Sequence, residues 1–165
     1  MINYGKQSIN QDDIDAVIEV LESDFLTQGP KVEEFENDLR SYCGSKHARV
    51  VTNATSALHL AYVAIGLKKD DIVWTSPNTF VSTANAALYC GAKVEFVDID
   101  PKTYNISIEA LKAKLKIAEA VGQLPKLIVP VHFAGQSCEM KEIWNLSKVY
   151  GFKVIEDASH ALGAE

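Results

Sequence analysis

Three short segments combine residue types that could do chemistry. The first, VVTNATSAL, passes from a β-branched run into a helical pattern through the small residues Asn53, Ala54, Thr55 and Ser56. Free N–H groups at a helix start attract anions, small side chains let a phosphate approach the backbone, and the Thr55 hydroxyl can add a hydrogen bond. A plain helix N-cap uses the same residues, so both readings stand. The second segment carries Glu156, Asp157 and His160 just after a short apolar run. A carboxylate at the end of a strand can hold a proton on a ligand nitrogen, since opposite charges favour the ionised form of both partners. A helix-capping acid, a surface acid or a packed imidazole would look alike. The third, TSPNTFVSTANAAL, puts Phe80 at a loop-to-helix junction, where an aromatic ring either stacks on a flat ligand or packs into a core.

Other chemistries find little support. There is no GxGxxG and no GxxxxGK[ST], hence neither a dinucleotide fingerprint nor a P-loop. His47, His59, His132 and His160 show no HxxxH or HExxH spacing, so no metal site is expected. Cys43, Cys90 and Cys138 are odd in number and lack CxxC spacing; they read as buried or half-buried free thiols. With 16 basic against 22 acidic side chains in 165 residues the formal charge is −6, and no basic cluster offers a footprint for nucleic acid or an anionic membrane. The stretches 50–67 and 72–92 lack Asp, Glu, Lys and Arg, but the longer one holds Pro77, Asn78 and Asn85, which makes a membrane span implausible. No basic-then-apolar leader opens the chain, so a cytoplasmic protein is expected.

The elements that must position these residues follow from periodicity. Asn10 is suited to cap a helix with Ile14, Val17, Ile18 and Leu21 on one face, and Pro30 to open a second through Val32, Phe35, Leu39 and Tyr42 until Gly44. Thereafter short β-branched runs at 48–52, 72–75, 93–98, 127–131 and 153–156 alternate with helical stretches, several ending at Gly66, Gly91 or Gly151. Ser107 can cap the helix of Ile108, Leu111 and Leu115, and KIAEAVGQLPK reads as its extension and turn. This alternation predicts an α/β fold: a mostly parallel sheet with helices on both faces. Two parts are expected, an N-terminal helical segment over 1–45 and an incomplete α/β large domain over 46–165. The final run is followed by ASHALGAE and no further helix, which reads as an N-terminal fragment of a longer protein.

In order, NATSALHLA, SPNTFVSTANAALYCGAKVEFVDID, VPVHFAGQ and VIEDASHALGA resemble the DegT/DnrJ/EryC1/StrS family of pyridoxal-phosphate sugar aminotransferases, over nearly the whole chain from about Tyr4. The resemblance implies part of a type I PLP-dependent transferase large domain. It implies that Ala54 and Thr55 hold the cofactor phosphate, Phe80 stacks on the pyridine ring, Asp157 pairs with the ring nitrogen and His160 hydrogen-bonds the phenolic oxygen. Tyr4 and the loop of Phe25, Leu26 and Thr27 would touch a nucleotide sugar. Glu156 is read as a structural acid. The NATS and SHALGAE segments look closest to members serving pseudaminic acid synthesis, which act at C4 of a UDP-linked 4-keto-6-deoxy-N-acetylhexosamine, with glutamate as the expected amino donor. Family members are homodimers, and that assembly is implied for the complete protein. The lysine that carries the cofactor covalently is expected beyond Glu165, so the chain alone should be inactive. Two alternatives remain open: a sugar dehydratase of the same family, with histidine in place of that lysine, and a noncatalytic binding module.

Overall fold

A computed structural model describes residues 5–164 and divides the chain into two compact units, Met1–Val50 and Val51–Glu165. The first holds α1 (Gln11–Leu21) and α2 (Pro30–Tyr42). Asn10 caps α1 as its sequence suggests: its side chain accepts from the Asp13 N–H at 3.1 Å while the Asp13 carboxylate accepts from the Asn10 N–H at 2.8 Å. Pro30 opens α2, where its missing N–H is no loss. Neither helix buries a residue, and Ile14, Val17, Ile18 and Leu21 all remain exposed.

In the second unit α3 (Ala54–Ala64) is followed by β1 (Ile72–Thr75), α4 (Ser82–Tyr89), β2 (Lys93–Phe96), α5 (Ile108–Ala120), β3 (Leu127–Val129), α6 (Met140–Tyr150) and β4 (Lys153–Val154). The four strands form one parallel sheet in the order β2-β1-β3-β4. Alternation along each strand sends side chains to opposite faces. Val73, Leu127 and Val129 pack with Leu58 and Tyr62 of α3 and Ala86 and Ala87 of α4. Trp74 and Ile128 pack on the other face with Leu111 and Leu115 of α5 and Ile143 of α6. The expected α/β architecture, with helices on both faces of a parallel sheet, is therefore the observed one.

Three expectations need correction. The run 48–52 forms no strand among the described residues; the Val50 N–H is spent on the Glu36 carboxylate at 2.9 Å rather than on a ladder. The third sheet run stops at Val129 because Pro130 has no N–H to donate, although Val131 resumes with a single parallel bridge to Asp157. Of the thiols, Cys138 is buried and Cys90 half-buried, but Cys43 is exposed, since it caps a helix that buries nothing.

The strand order reverses at β1: the chain moves outward from it to β2, then returns to its other side at β3. Such a switch point opens a crevice beyond the carboxyl ends of the strands.

Candidate active site at the strand tips

The loops leaving β1, β3 and β4, together with the start of α3, line a cavity of about 550 Å³ at that crevice. It brings together Ala54, Thr55, Phe80, Asp157 and His160, from segments as far apart in sequence as 53 and 160. At α3, Asn53 is indeed a cap: its Oδ1 accepts from the Ser56 N–H at 2.8 Å. That cap leaves the N–H groups of Ala54 and Thr55 without a partner among the described residues. The two readings of this turn are thus compatible, because a cap that satisfies the third N–H leaves the first two to face a ligand. Phe80 is 72% exposed and lines the cavity, so it is not packed into the core of this unit.

Asp157 is 6% exposed, so it is not a surface acid. Its Oδ2 accepts from the Thr83 hydroxyl at 2.7 Å, and its Oδ1 from the Ser159 hydroxyl at 2.6 Å and the Ser159 N–H at 3.3 Å. Its backbone is fastened to the β3 extension, with its N–H donating to Pro130 and its carbonyl accepting from His132. His160 is exposed on the cavity wall, and Glu156 is exposed just outside the lining residues.

Sequence reasoning missed several residues that build this geometry. The buried His132 lines the cavity and accepts the Cys138 N–H on Nδ1 at 3.0 Å; the proton assigned by that network sits on Nε2 and is donated to Glu156 at 2.9 Å. Burial pushes the neighbouring Cys138 thiol up to about 11, so it is a packing group rather than a nucleophile. Asn105, 4% exposed, ties down the turn after β3: its Oδ1 accepts from the Phe133 N–H and its Nδ2 donates to the carbonyls of Gln136 and Ser137. Within that turn Gly135 adopts φ +90, and a Cβ there would stand 2.8 Å from the His160 carbonyl oxygen. Thr83 stands among other small polar residues in VSTAN and Asn105 in the polar stretch KTYNIS, so neither carries a local signal of its role. The approach of Gly135 to His160 is a three-dimensional fact with no local trace.

Among the described residues, those expected on the substrate side do not line this cavity. Phe25 and Leu26 are exposed and line a separate cavity of about 340 Å³ within the first unit, whereas Thr27, also exposed, is not among its lining residues. Tyr4 lies outside the described residues. Among the described residues no cluster of His, Cys, Asp or Glu is arranged to hold a metal, and no helix is long and apolar enough to cross a membrane.

A parallel α/β unit with an anion-ready helix start and a buried acid at one switch point has the form of a cofactor-binding enzyme domain. Residues 7–165 match the model of the DegT/DnrJ/EryC1/StrS aminotransferase family, and the chain belongs to that family. A UDP-4-amino-4,6-dideoxy-N-acetyl-beta-L-altrosamine transaminase of Campylobacter jejuni is 52% identical over 166 residues, covering 100% of this chain and 43% of the relative. The spore coat polysaccharide biosynthesis protein SpsC of Bacillus subtilis is 43% identical, over 96% of this chain and 39% of its own. The solved structure of Helicobacter pylori PseC, an aminotransferase involved in the biosynthesis of pseudoaminic acid, superposes with a TM-score of 0.88 at 36% identity, over 98% of this chain and 42% of that one. The chain thus spans less than half the length of the relatives it matches.

Proposed function

We propose that this chain is the cofactor-binding part of a pyridoxal-phosphate-dependent aminotransferase. Its reaction moves an amino group from glutamate to C4 of a UDP-linked 4-keto-6-deoxy-N-acetylhexosamine, as a cytoplasmic homodimer. The observation that carries the reading is the convergence, in one cavity, of two open N–H groups, an exposed aromatic face and a buried carboxylate. The donor set fits the cofactor: hydrogen-bond donors for a phosphate, a ring face for a pyridine, and an acceptor of charge −1 for a protonated nitrogen. The name of the C. jejuni relative supports the sugar and the position of transfer. The aminotransferase names among the relatives favour this reading over the dehydratase and over a noncatalytic module.

When bound, pyridoxal phosphate supplies an electron sink for the pair left at the amino donor's α carbon. The chain's own residues do the rest of what this part can do. Ala54 and Thr55 hold the phosphate with two N–H groups and one hydroxyl, and the α3 dipole favours its charge. Asp157 would accept a hydrogen bond from the protonated ring nitrogen and so favour its cationic form. His160 offers a hydrogen bond to the phenolic oxygen, and Phe80 covers one ring face and displaces water from it. No lysine is among the described lining residues, so the covalent role is not assigned within this chain.

The test is direct. Titration of pyridoxal phosphate into the chain should perturb the cofactor's absorbance. Phe80→Ala should weaken that binding roughly fivefold, the equivalent of about 1 kcal/mol of aromatic stacking, and leave the melting curve unchanged because the ring is mostly exposed. An unperturbed absorbance, or an affinity indifferent to the loss of the ring, would defeat the proposal.

A further inference from the structure

Thr83 is fully buried on the first turn of α4, 74 positions from Asp157 in sequence. A buried helical threonine commonly bonds the carbonyl four residues back. This one reaches across to Asp157 Oδ2 at 2.7 Å, and its oxygen meets the Thr79 hydroxyl at 2.8 Å. An ionised carboxylate only accepts, so the single proton of Thr83 goes to Asp157 and the proton of Thr79 goes to Thr83. Thr79 lines the cavity and Thr83 does not, which gives the chain of hydroxyls a direction: it begins at the cavity wall and ends behind the acid. The far end is pinned as well, because the buried Tyr62 hydroxyl donates to the Thr83 carbonyl at 3.0 Å. Ser159 occupies the other carboxylate oxygen with two donors.

We infer that Thr83 is a positioning residue: with Thr79 behind it and Ser159 opposite, it fixes the direction in which Asp157 presents its charge to the cavity. The inference rests on the reading that Asp157 pairs with the cofactor nitrogen, and it adds the group that aims it. Thr83 is not among the residues lining the cavity, and it acts through Asp157. The other titratable groups around the acid are Tyr62, whose phenol is raised by burial and then by the charge of Asp157, His132 and His160 on the cavity wall, and Glu156, which is bonded to His132 outside that wall.

The experiment compares wild type, Thr83→Val, Thr83→Ser, Thr79→Val and Asp157→Asn in the full-length enzyme. It reads the pH titration of the bound cofactor's absorbance alongside kcat and KM. Valine keeps the branched shape and removes the hydroxyl; serine restores it. Thr83→Val should move the absorbance midpoint by about half a pH unit or more. It should also lower kcat roughly tenfold, with KM for the sugar within about twofold, and Thr83→Ser should return both to near wild type. If Thr83→Val titrates as wild type while Asp157→Asn does not, the positioning role is overturned and the cofactor reading survives. If Asp157→Asn leaves absorbance and affinity unchanged, the cofactor reading falls and takes this inference with it. Should Thr83→Val fail to fold, the half-buried Thr79→Val decides: a smaller shift in the same direction supports the hydroxyl chain, and no shift overturns it.

Discussion

Asp157→Asn is expected to leave the fold standing and to depress turnover of the whole enzyme by well over tenfold, a rise of more than about 1.4 kcal/mol in the barrier. The fold survives because the site can re-satisfy itself. An asparagine oxygen can keep both Ser159 donors, while its amide NH₂ faces Thr83, whose hydroxyl can turn to accept it and donate onward to Thr79. The hydroxyl chain reverses and no buried polar atom is stranded. The negative charge that keeps a ring nitrogen protonated cannot be re-supplied in this way. Steady-state turnover with a melting curve as control is the measurement, and near-normal turnover would remove Asp157 from its proposed role.

Gly135→Ala is expected to lower both stability and cofactor affinity. The residue sits at φ +90, outside the small left-handed region that other residues reach, and its added Cβ would meet the His160 carbonyl at 2.8 Å. Backbone strain of this kind costs on the order of 2 kcal/mol, or roughly 8 °C in melting temperature for a unit of this size. Relief comes only by pushing the segment after β4 away from the turn after β3, which displaces His160 and disturbs Asp157. Cofactor affinity should therefore fall about tenfold or more in an absorbance titration. Gly122→Ala is the control: φ is +69 with nothing within 4 Å of the new Cβ, so it should cost no more than about 1 kcal/mol and leave binding alone. Equal behaviour of the two variants would show that the contact with His160 is unimportant.

Local rules made much of this molecule legible. Asn10, Pro30 and Ser107 start helices because capping is settled within four residues, and Ser107 does accept the Ala110 N–H. The alternation of β-branched runs with helical periods gave the parallel sheet, and the order of the strand tips put Ala54, Phe80, Asp157 and His160 in one cavity. What stayed hidden depends on distant partners. The run 48–52 looks like a strand until the Glu36 carboxylate takes the Val50 N–H. Thr83 reads as one more helical threonine until a segment 74 residues later supplies its acceptor, and Asn105 as a turn residue until Phe133, Gln136 and Ser137 close around it.

The lining of the cavity includes no lysine or arginine among its described residues. Within this chain a phosphate at the start of α3 would be held by peptide N–H groups and the Thr55 hydroxyl, whose dipoles reach only about a turn of helix, while the chain's net charge of −6 would repel an anion from afar. Added electrolyte, which slows arrival at most phosphate pockets, should here ease the approach by screening the long-range repulsion and leave the short-range grip nearly untouched.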